Sequence, residues 1–491
     1  MNVLGPYAIE QDYSQYLSRV SGIIFCAVGT ATKGEVGTPI LCTSTADFVR
    51  KFGSASKDHL GTYAAQYYLT QGNRLYYLRI SDGTEVKGTT TIPGKKNTTD
   101  VPSAIVLTAK TPGTYYNTLK VVVQATTIEN RYRIVISESD RTIENIIYTI
   151  GEEFKSSNFE ATTVAEELTK LTPGTYTVTG GTDGTTNITD AMYVEALQKL
   201  TVESVDMNLF AIPGVSSTPV IQKAIEVAET RGDCLFLVDP PKGYSLDDVI
   251  AWHNGSKLGS DGHTGSVLLN SSFAALYYSW QNVYDSATNT YFDVPPSVVV
   301  ASVMAKSARE SELWFPPAGV VRGIVQGVKT PVDSPDSGAR TAAYMDPNAV
   351  NCIIEDPTYG LVVYGQKTLS RANTALNRVN VRMLLNYLKR VIVAAAKYLT
   401  FEPNDDITWN SFEDLVEPTL RNIGQRRGLY DYKIVKGEAI VTDEDIDNYR
   451  MPCKILIKPT KSVEEIPIYF TITSTGADFN EILESESVFE E

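Results

Sequence analysis

Residues 86–190 hold 24 threonines in 105 positions, and outside 163–171 they contain few helix formers. Threonine is β-branched; it loses side-chain freedom in a helix and packs well on a pleated sheet. The runs 101–109, 119–127, 132–137 and 143–150 have strand character, with turn residues between them. Thr-Pro-Gly-Thr-Tyr occurs at Thr111 and again at Thr172. Pro-Gly suits the centre of a type II turn, because Pro sets φ and Gly accepts a positive φ. A β-rich unit this long can be accommodated only if the surrounding chain closes around it.

The surroundings are of the opposite kind. Before the stretch, 23–28 reads as a buried strand and Thr43 to Asp47 supply caps for a short helix ending at Gly53. Residues 60–69 suit a second helix, and 74–80 alternates as a strand. From about residue 188 the pattern resumes with helices at 192–200, 218–231 and 246–258 and strands at 207–212, 234–238 and 265–270. A polar loop at 330–338 precedes a hairpin formed by 349–355 and 360–363. Helices at 375–399 and 411–423 follow, then strands at 429–436, 454–458 and 466–474. The fold class expected is α/β (α+β) and multidomain: an α/β core with an inserted β-rich domain and extended N- and C-terminal arms.

The expected division is an arm at 1–20, core at 21–85, the insertion at 86–190, more α/β at 191–348, a C-terminal α/β domain at 349–465, and a strand with an acidic tail at 466–491. Residues 1–20 lack apolar clusters; Tyr7 and Ile9 mark a short strand with nothing nearby to bury it. At the other end, Ile466, Ile468, Phe470 and Ile472 alternate with Pro467, Tyr469, Thr471 and Thr473.

Charge narrows the function. The 43 Lys+Arg and 58 Asp+Glu give a net charge of −15, which disfavours a phosphate backbone as main partner. The five cysteines, Cys26, Cys42, Cys234, Cys352 and Cys453, are widely spaced and read as reduced thiols. Neither a signal peptide nor a run long enough to span a membrane is visible, so cytosolic synthesis without membrane insertion is expected.

Catalytic chemistry finds little support. No P-loop, GxGxxG, HExxH or GxSxG motif occurs. The three histidines, His59, His253 and His263, are scattered. His253 and His263 flank a glycine-rich stretch with Asp261, and Asp239 follows a strand where α/β enzymes place acids. An α/β enzyme using Asp239, His253 or His263 is one alternative; a Thr-rich adhesin is another. Asp443, Asp445 and Asp447 have calcium-loop spacing, but Asn448 stands where the loop needs Gly and Lys454 where it needs Glu, which leaves an acidic helix start. No cofactor or metal is expected.

The helix at 375–399 has an apolar stripe through Leu376, Val379, Met383, Leu384, Tyr387, Leu388, Val391, Ala395 and Tyr398. Opposite stand Arg378, Arg382, Lys389, Arg390 and Lys397, with no acid between Ser370 and Phe401. One-signed charge on an acidic chain suggests either a solvated face or a docking surface for an acidic partner.

Several segments together resemble the tail sheath proteins of contractile-tailed bacteriophages and related contractile bacteriocins. Gly5-Pro6-Tyr7 opens like the family's PGVY start. Ala31 to Pro39, Asp47-Phe48 and Phe52-Gly53 are similar to its VGTA..GP...P and dF...FG segments. Leu69 to Arg79 resembles a conserved strand. Thr111 to Asn117 is similar to PGtWGN, with Tyr115-Tyr116 replacing Trp-Gly. Pro295-Pro296-Ser297, Trp314 and Pro316 to Gly319 resemble a central motif, with Lys306 to Glu310 replacing its usual rtD. Asn380-Val381-Arg382, Phe401-Glu402-Pro403-Asn404 and Trp409 resemble the C-terminal iNVRRl and fePN...lW.

The resemblance implies a non-enzymatic structural subunit that polymerises around a tail tube and contracts to drive the tube through a cell envelope. It implies partners: other copies in stacked hexameric rings, the tube protein, and baseplate and terminator proteins. Its place would be the virion tail. Neighbours would be joined by arms that add strands to an adjacent subunit's sheet, with Tyr7, Ile9, Ile466, Ile468, Phe470 and Ile472 as contacts. Arg378, Arg382, Lys389 and Arg390 would serve tube or intersubunit contacts. Phage and bacteriocin origin stay open.

Overall fold

A computed structural model describes residues 22–163, 168–202, 204–256, 268–285 and 289–468. Its centre is an eight-stranded sheet made of β1 (Phe25–Gly29), β2 (Pro39–Cys42), β3 (Leu75–Arg79), β4 (Leu209–Ala211), β5 (Leu235–Val238), β6 (Ala274–Tyr278), β7 (Val350–Asp356) and β8 (Gly360–Tyr364). The order is β8-β7-β6-β5-β4-β1-β3-β2, in which the six inner strands run parallel and the two edge strands antiparallel. Successive side chains enter opposite cores. Phe25, Ala27, Leu209 and Leu235 join helices α1 (Thr45–Phe52), α2 (Leu60–Leu69) and a long helix of the second half on one face. Cys26, Val28, Phe210 and Phe236 meet helices α3 (Thr218–Arg231) and α4 (Leu246–His253) on the other. Strands buried on both faces need continuous apolar runs, which is what the sequence supplies.

Ser44 caps α1 by accepting from Asp47 N, as expected, and α2 and α3 have the expected bounds. Other expectations change. The predicted helix 246–258 ends at His253. Of the predicted strand 265–270, residues 268–270 form no strand and the rest lie outside the described residues; the neighbouring strand is β6. Helix α5 (Pro296–Glu310) had no visible stripe because eleven of its residues are buried, from Pro296 through Ala305 and at Ser307. Among the described residues no helix is long and apolar enough to cross a membrane.

The threonine-rich stretch forms two four-stranded antiparallel sheets around a core of its own, with Ile92, Leu107, Val121, Ile134 and Phe159 at its centre. Its two Thr-Pro-Gly sequences are not type II turns. Gly113 has φ 149 and ψ 157, and a Cβ there would lie 2.0 Å from the Thr32 carbonyl oxygen. Gly174 opens the strand Gly174–Thr177 without a positive φ. Tertiary packing sets each conformation, so one pentapeptide has two structures.

The insertion is fastened by Arg79, at the end of β3. Its side chain is fully buried and donates to the carbonyls of Gly34 at 2.7 Å, Pro112 at 2.7 Å and Asp183 at 3.0 Å. Those acceptors come from the β1–β2 loop, from the segment 111–115 inside the insertion and from the insertion's returning end. Around it, Tyr115 N donates to Thr32 O, Thr114 N and Oγ1 donate to the Asp183 carboxylate, and His59 lies 3.9 Å from Asp183 while contacting Thr30.

Asp239 joins three elements rather than facing a cleft. It follows β5, is 2% exposed, and accepts from Gly214 N at 3.1 Å, Ser297 N at 2.8 Å and Ser297 Oγ at 2.6 Å, so it caps α5 from a distance. Burial raises its carboxyl to about 6 in spite of those donors. His253, at the end of α4, is 1% exposed, and neither ring nitrogen has a hydrogen-bond partner among the described residues. Burial, with the Arg371 charge, lowers its imidazole to about 4.

Two predictions follow from these buried groups. Replacing Arg79 by Met should lower stability by about 3 kcal/mol, seen in urea unfolding, and should speed proteolytic cleavage at the insertion's two ends. The second concerns pH. The Asp239 contribution is full below its unfolded value of 3.8 and is lost as pH rises through about 6. The His253 contribution is full above 6.5 and is lost as pH falls towards 4. Between pH 4 and 6 the two oppose. Asp239→Asn should therefore make stability climb with pH, and His253→Gln should make it decline, each by up to about 3 kcal/mol in chemical unfolding across that window.

Candidate functional site

The main sheet is closed at both margins. On β2, Pro39 has no N–H to offer, and Lys51 Nζ donates to Leu41 O at 2.6 Å. On β8, Val363 N donates to Gly323 O and Val325 N to Leu361 O, both at 2.8 Å. A ninth strand could not join at either margin without displacing these groups.

A second, smaller sheet is different. Strands β9 (Leu429–Val435) and β10 (Lys454–Pro459) pair antiparallel and, among the described residues, with no other strand. They rest on helices α6 (Val379–Ala396) and α7 (Asp406–Gln425), whose Leu384, Leu388, Phe412, Val416 and Leu420 share a core with Trp314. Tyr432, Ile434, Ile455 and Ile457 face that core, leaving Lys433, Lys454, Leu456 and Lys458 exposed. A two-stranded ribbon is marginal alone and is held here by its helical platform.

The Phe401-Glu402-Pro403-Asn404 motif builds the platform's corner. Asn404 Oδ1 accepts from Trp409 Nε1 at 2.8 Å, and its Nδ2 donates to Arg450 O at 2.9 Å. Asp405 caps α7 through Ile407 N and Thr408 N. Phe401 itself is fully exposed with φ 77, and Tyr449 is 97% exposed with φ 57. Positive φ in a non-glycine residue costs on the order of 1–3 kcal/mol, and such residues gather where function requires them. From the sequence Phe401 was visible only as part of that motif and Tyr449 not at all, since exposure and φ are invisible there.

The basic side of α6 is not an open stripe. Arg382 is 4% exposed; its guanidinium lies 4.0 Å from the Phe273 ring centre and bonds Ser272 Oγ. Arg390 pairs with Asp206, which also meets Arg74 at 3.3 Å. Arg378 bonds Asn377 Oδ1 at 2.9 Å and lies 5.9 Å from the Tyr344 ring. Only Lys389 and Lys397 are exposed. The reading of a solvated face is corrected accordingly: the first half of α6 is enclosed on nearly all sides, and Arg382 and Arg390 contact groups within the chain. Burial lowers both guanidinium groups to about 10.

The remaining expected residues do not converge on a reactive centre. Asp239, His253 and His59 are held apart as described above, His263 lies outside the described residues, and Asp443 to Asp447 form a helix with a Thr442–Asp445 capping box. No group of three metal-ligating side chains occurs among the described residues. Of the arm contacts, Tyr7, Ile9, Phe470 and Ile472 lie outside the described residues. A second compact unit begins at Thr460; its residues 460–468 have no helix or strand, and Ile466 and Ile468 are 75% and 70% exposed.

Residues 371–475, which contain α6, α7 and the ribbon, match the family model of the phage tail sheath C-terminal domain. The chain is 30% identical over 373 residues to the tail sheath protein of Vibrio phage KVP40, covering 72% of this chain and 55% of that protein. It spans little more than half the length of the curated relatives it matches. Its fold is similar to the sheath tail protein of Listeria innocua, with TM-score 0.64 and 14% identity over 90% of this chain and 93% of that one. It is also similar to the sheath of a contracted extracellular contractile injection system, with TM-score 0.56 and 16% identity over 98% of this chain and all of that one. The chain thus resembles phage tail sheath proteins over 72% of its length, and residues 371–475 match their C-terminal domain.

Proposed function

We propose that the chain is the structural subunit of a contractile tail sheath, and that it works without catalysis. The observation that carries this reading is the β9–β10 ribbon: a sheet of two strands on a rigid helical platform, in a molecule whose main sheet is closed at both margins. Strand addition from neighbouring copies would complete it. Residues 1–20, through Tyr7 and Ile9, and residues 466–474, through Ile466, Ile468, Phe470 and Ile472, are the segments suited to that role. They would keep subunits linked while the lattice changes shape. The exposed Phe401 and Tyr449 fit a surface that becomes buried on assembly.

In this reading the copies stack as rings around a tube protein in the virion tail, with baseplate and terminator proteins at the ends. The arms, the inserted β domain and the C-terminal segment make up its proposed domain plan, with residues 350–364 joined to the α/β core as β7 and β8. The work of contraction comes from the difference between two packings of the same subunits, held apart kinetically. Lys389 and Arg378 remain as intersubunit or tube contacts, Arg382 stands behind Lys389 at the Phe273 ring, and Arg390 acts from inside the subunit. A phage-derived injection system is the second reading, favoured by the likeness to an injection-system sheath.

Negative-stain electron microscopy of the purified chain should show hollow tubes or rings; discrete monomers at high concentration would sink the proposal. Removing residues 1–20, or introducing Phe470→Asp, should leave the melting curve of the subunit intact while abolishing tubes. Phe401→Gly should stay within about 1 kcal/mol of the parent in stability, because it relieves the left-handed backbone, yet reduce tube formation measured by sedimentation.

A further inference from the structure

Arg382 is a buried cation whose nearby acids are committed elsewhere. Asp233 is gripped by Arg231 through contacts of 2.9 and 3.0 Å, Asp206 is shared by Arg390 and Arg74, and Glu229 accepts from Ser271 Oγ at 2.6 Å. Arg382 bonds Ser272 and lies over Phe273; among the described residues it has no ion pair, and its Nε has no hydrogen-bond partner.

A second cation comes to the same ring. Lys389, two turns further along α6, lies with Nζ 5.4 Å from the Phe273 centre. It makes no ion pair or hydrogen bond among the described residues, and it is exposed where Arg382 is not. Burial and then repulsion by Arg382 lower its ammonium group. Between them on the helix, Asn386 is 1% exposed with both side-chain polar atoms unpartnered among the described residues. Two like charges at one aromatic ring, one of them desolvated, are costly unless an anion joins them. An oxyanion accepting from both would form charge-assisted hydrogen bonds.

We infer that Arg382 and Lys389, meeting at Phe273, form a receptor for one oxyanion, and that the oxyanion is a side-chain carboxylate of a second copy of the chain. The source follows from charge: the chain carries −15, and residues 478–491 alone hold Asp478, Glu481, Glu484, Glu486, Glu490 and Glu491 with no base. In a polymer such groups are present at high effective concentration. The inference rests on the proposed assembly and adds to it a specific contact.

Amine-reactive labelling of the full chain, read at Lys389 by mass spectrometry, tests it. Lys389 should label readily in the dispersed chain and be protected about tenfold or more in assembled tubes, while Lys397 changes less. A poly-glutamate peptide added to the dispersed chain should protect Lys389, and inorganic phosphate at the same charge concentration should do so much less. Lys389→Gln should raise the concentration needed for assembly about tenfold without moving the melting curve. Tubes in which Lys389 labels freely would overturn the receptor and leave the sheath reading standing. Absence of tubes would count against the sheath reading, and the peptide result would then decide the receptor alone. Protection by phosphate but not by poly-glutamate would overturn the carboxylate assignment.

Discussion

Arg79 holds the two halves of this architecture together. An insertion of about a hundred residues on two strands of chain would otherwise tumble against the core. A planar guanidinium with several fixed N–H directions can bind carbonyls from three segments at once, which a lysine ammonium on a flexible stem does less well. Gly34, Pro112 and Asp183 are those carbonyls, so the loop after β1, an inner turn of the insertion and its returning end meet at one group. The burial of a charge is offset by these bonds and by Asp183, 4.0 Å away. This junction ties the insertion to the sheet through three segments at once.

The same economy governs the sheet margins. A parallel sheet exposed at either side would recruit any extended chain. Here Lys51 and Pro39 guard β2, and the segment containing Gly323 and Val325 guards β8. The ribbon β9–β10 carries exposed lysines, Pro459 and a register shift, yet no further strand or backbone segment pairs with it among the described residues. That open ribbon is the feature on which the proposed pairing rests, and it lies within the residues that match the sheath C-terminal domain.

Much of the fold was legible because its elements have period. Helices α2 and α3 could be bounded from caps, a terminal glycine and apolar spacing, and the inner strands from unbroken apolar runs. What failed had no local signature. Helix α5 is apolar almost all round, so it offers no stripe. The paired Thr-Pro-Gly sequences differ because Thr32 presses on Gly113 and nothing comparable acts on Gly174. The charges of α6 were visible, but charge alone does not reveal exposure: Phe273, Ser272 and Asp206, distant in sequence, determine that Arg382 and Arg390 face inward.

Those inward cations explain more than a failed expectation. A helix seated on leucine and valine alone could slip by a turn at modest cost, because apolar contact is not directional. Arg390 must meet Asp206, and Arg382 must meet Ser272 and Phe273, so a one-turn slip would strand two buried charges. The apolar residues Leu384 and Leu388 meanwhile hold α7 and, through it, the ribbon. A pull on strands added to the ribbon is then carried through α7 to a helix that has one seating on the core. For a subunit linked to neighbours by its arms, that stiffness turns displacement of a strand into displacement of the whole body.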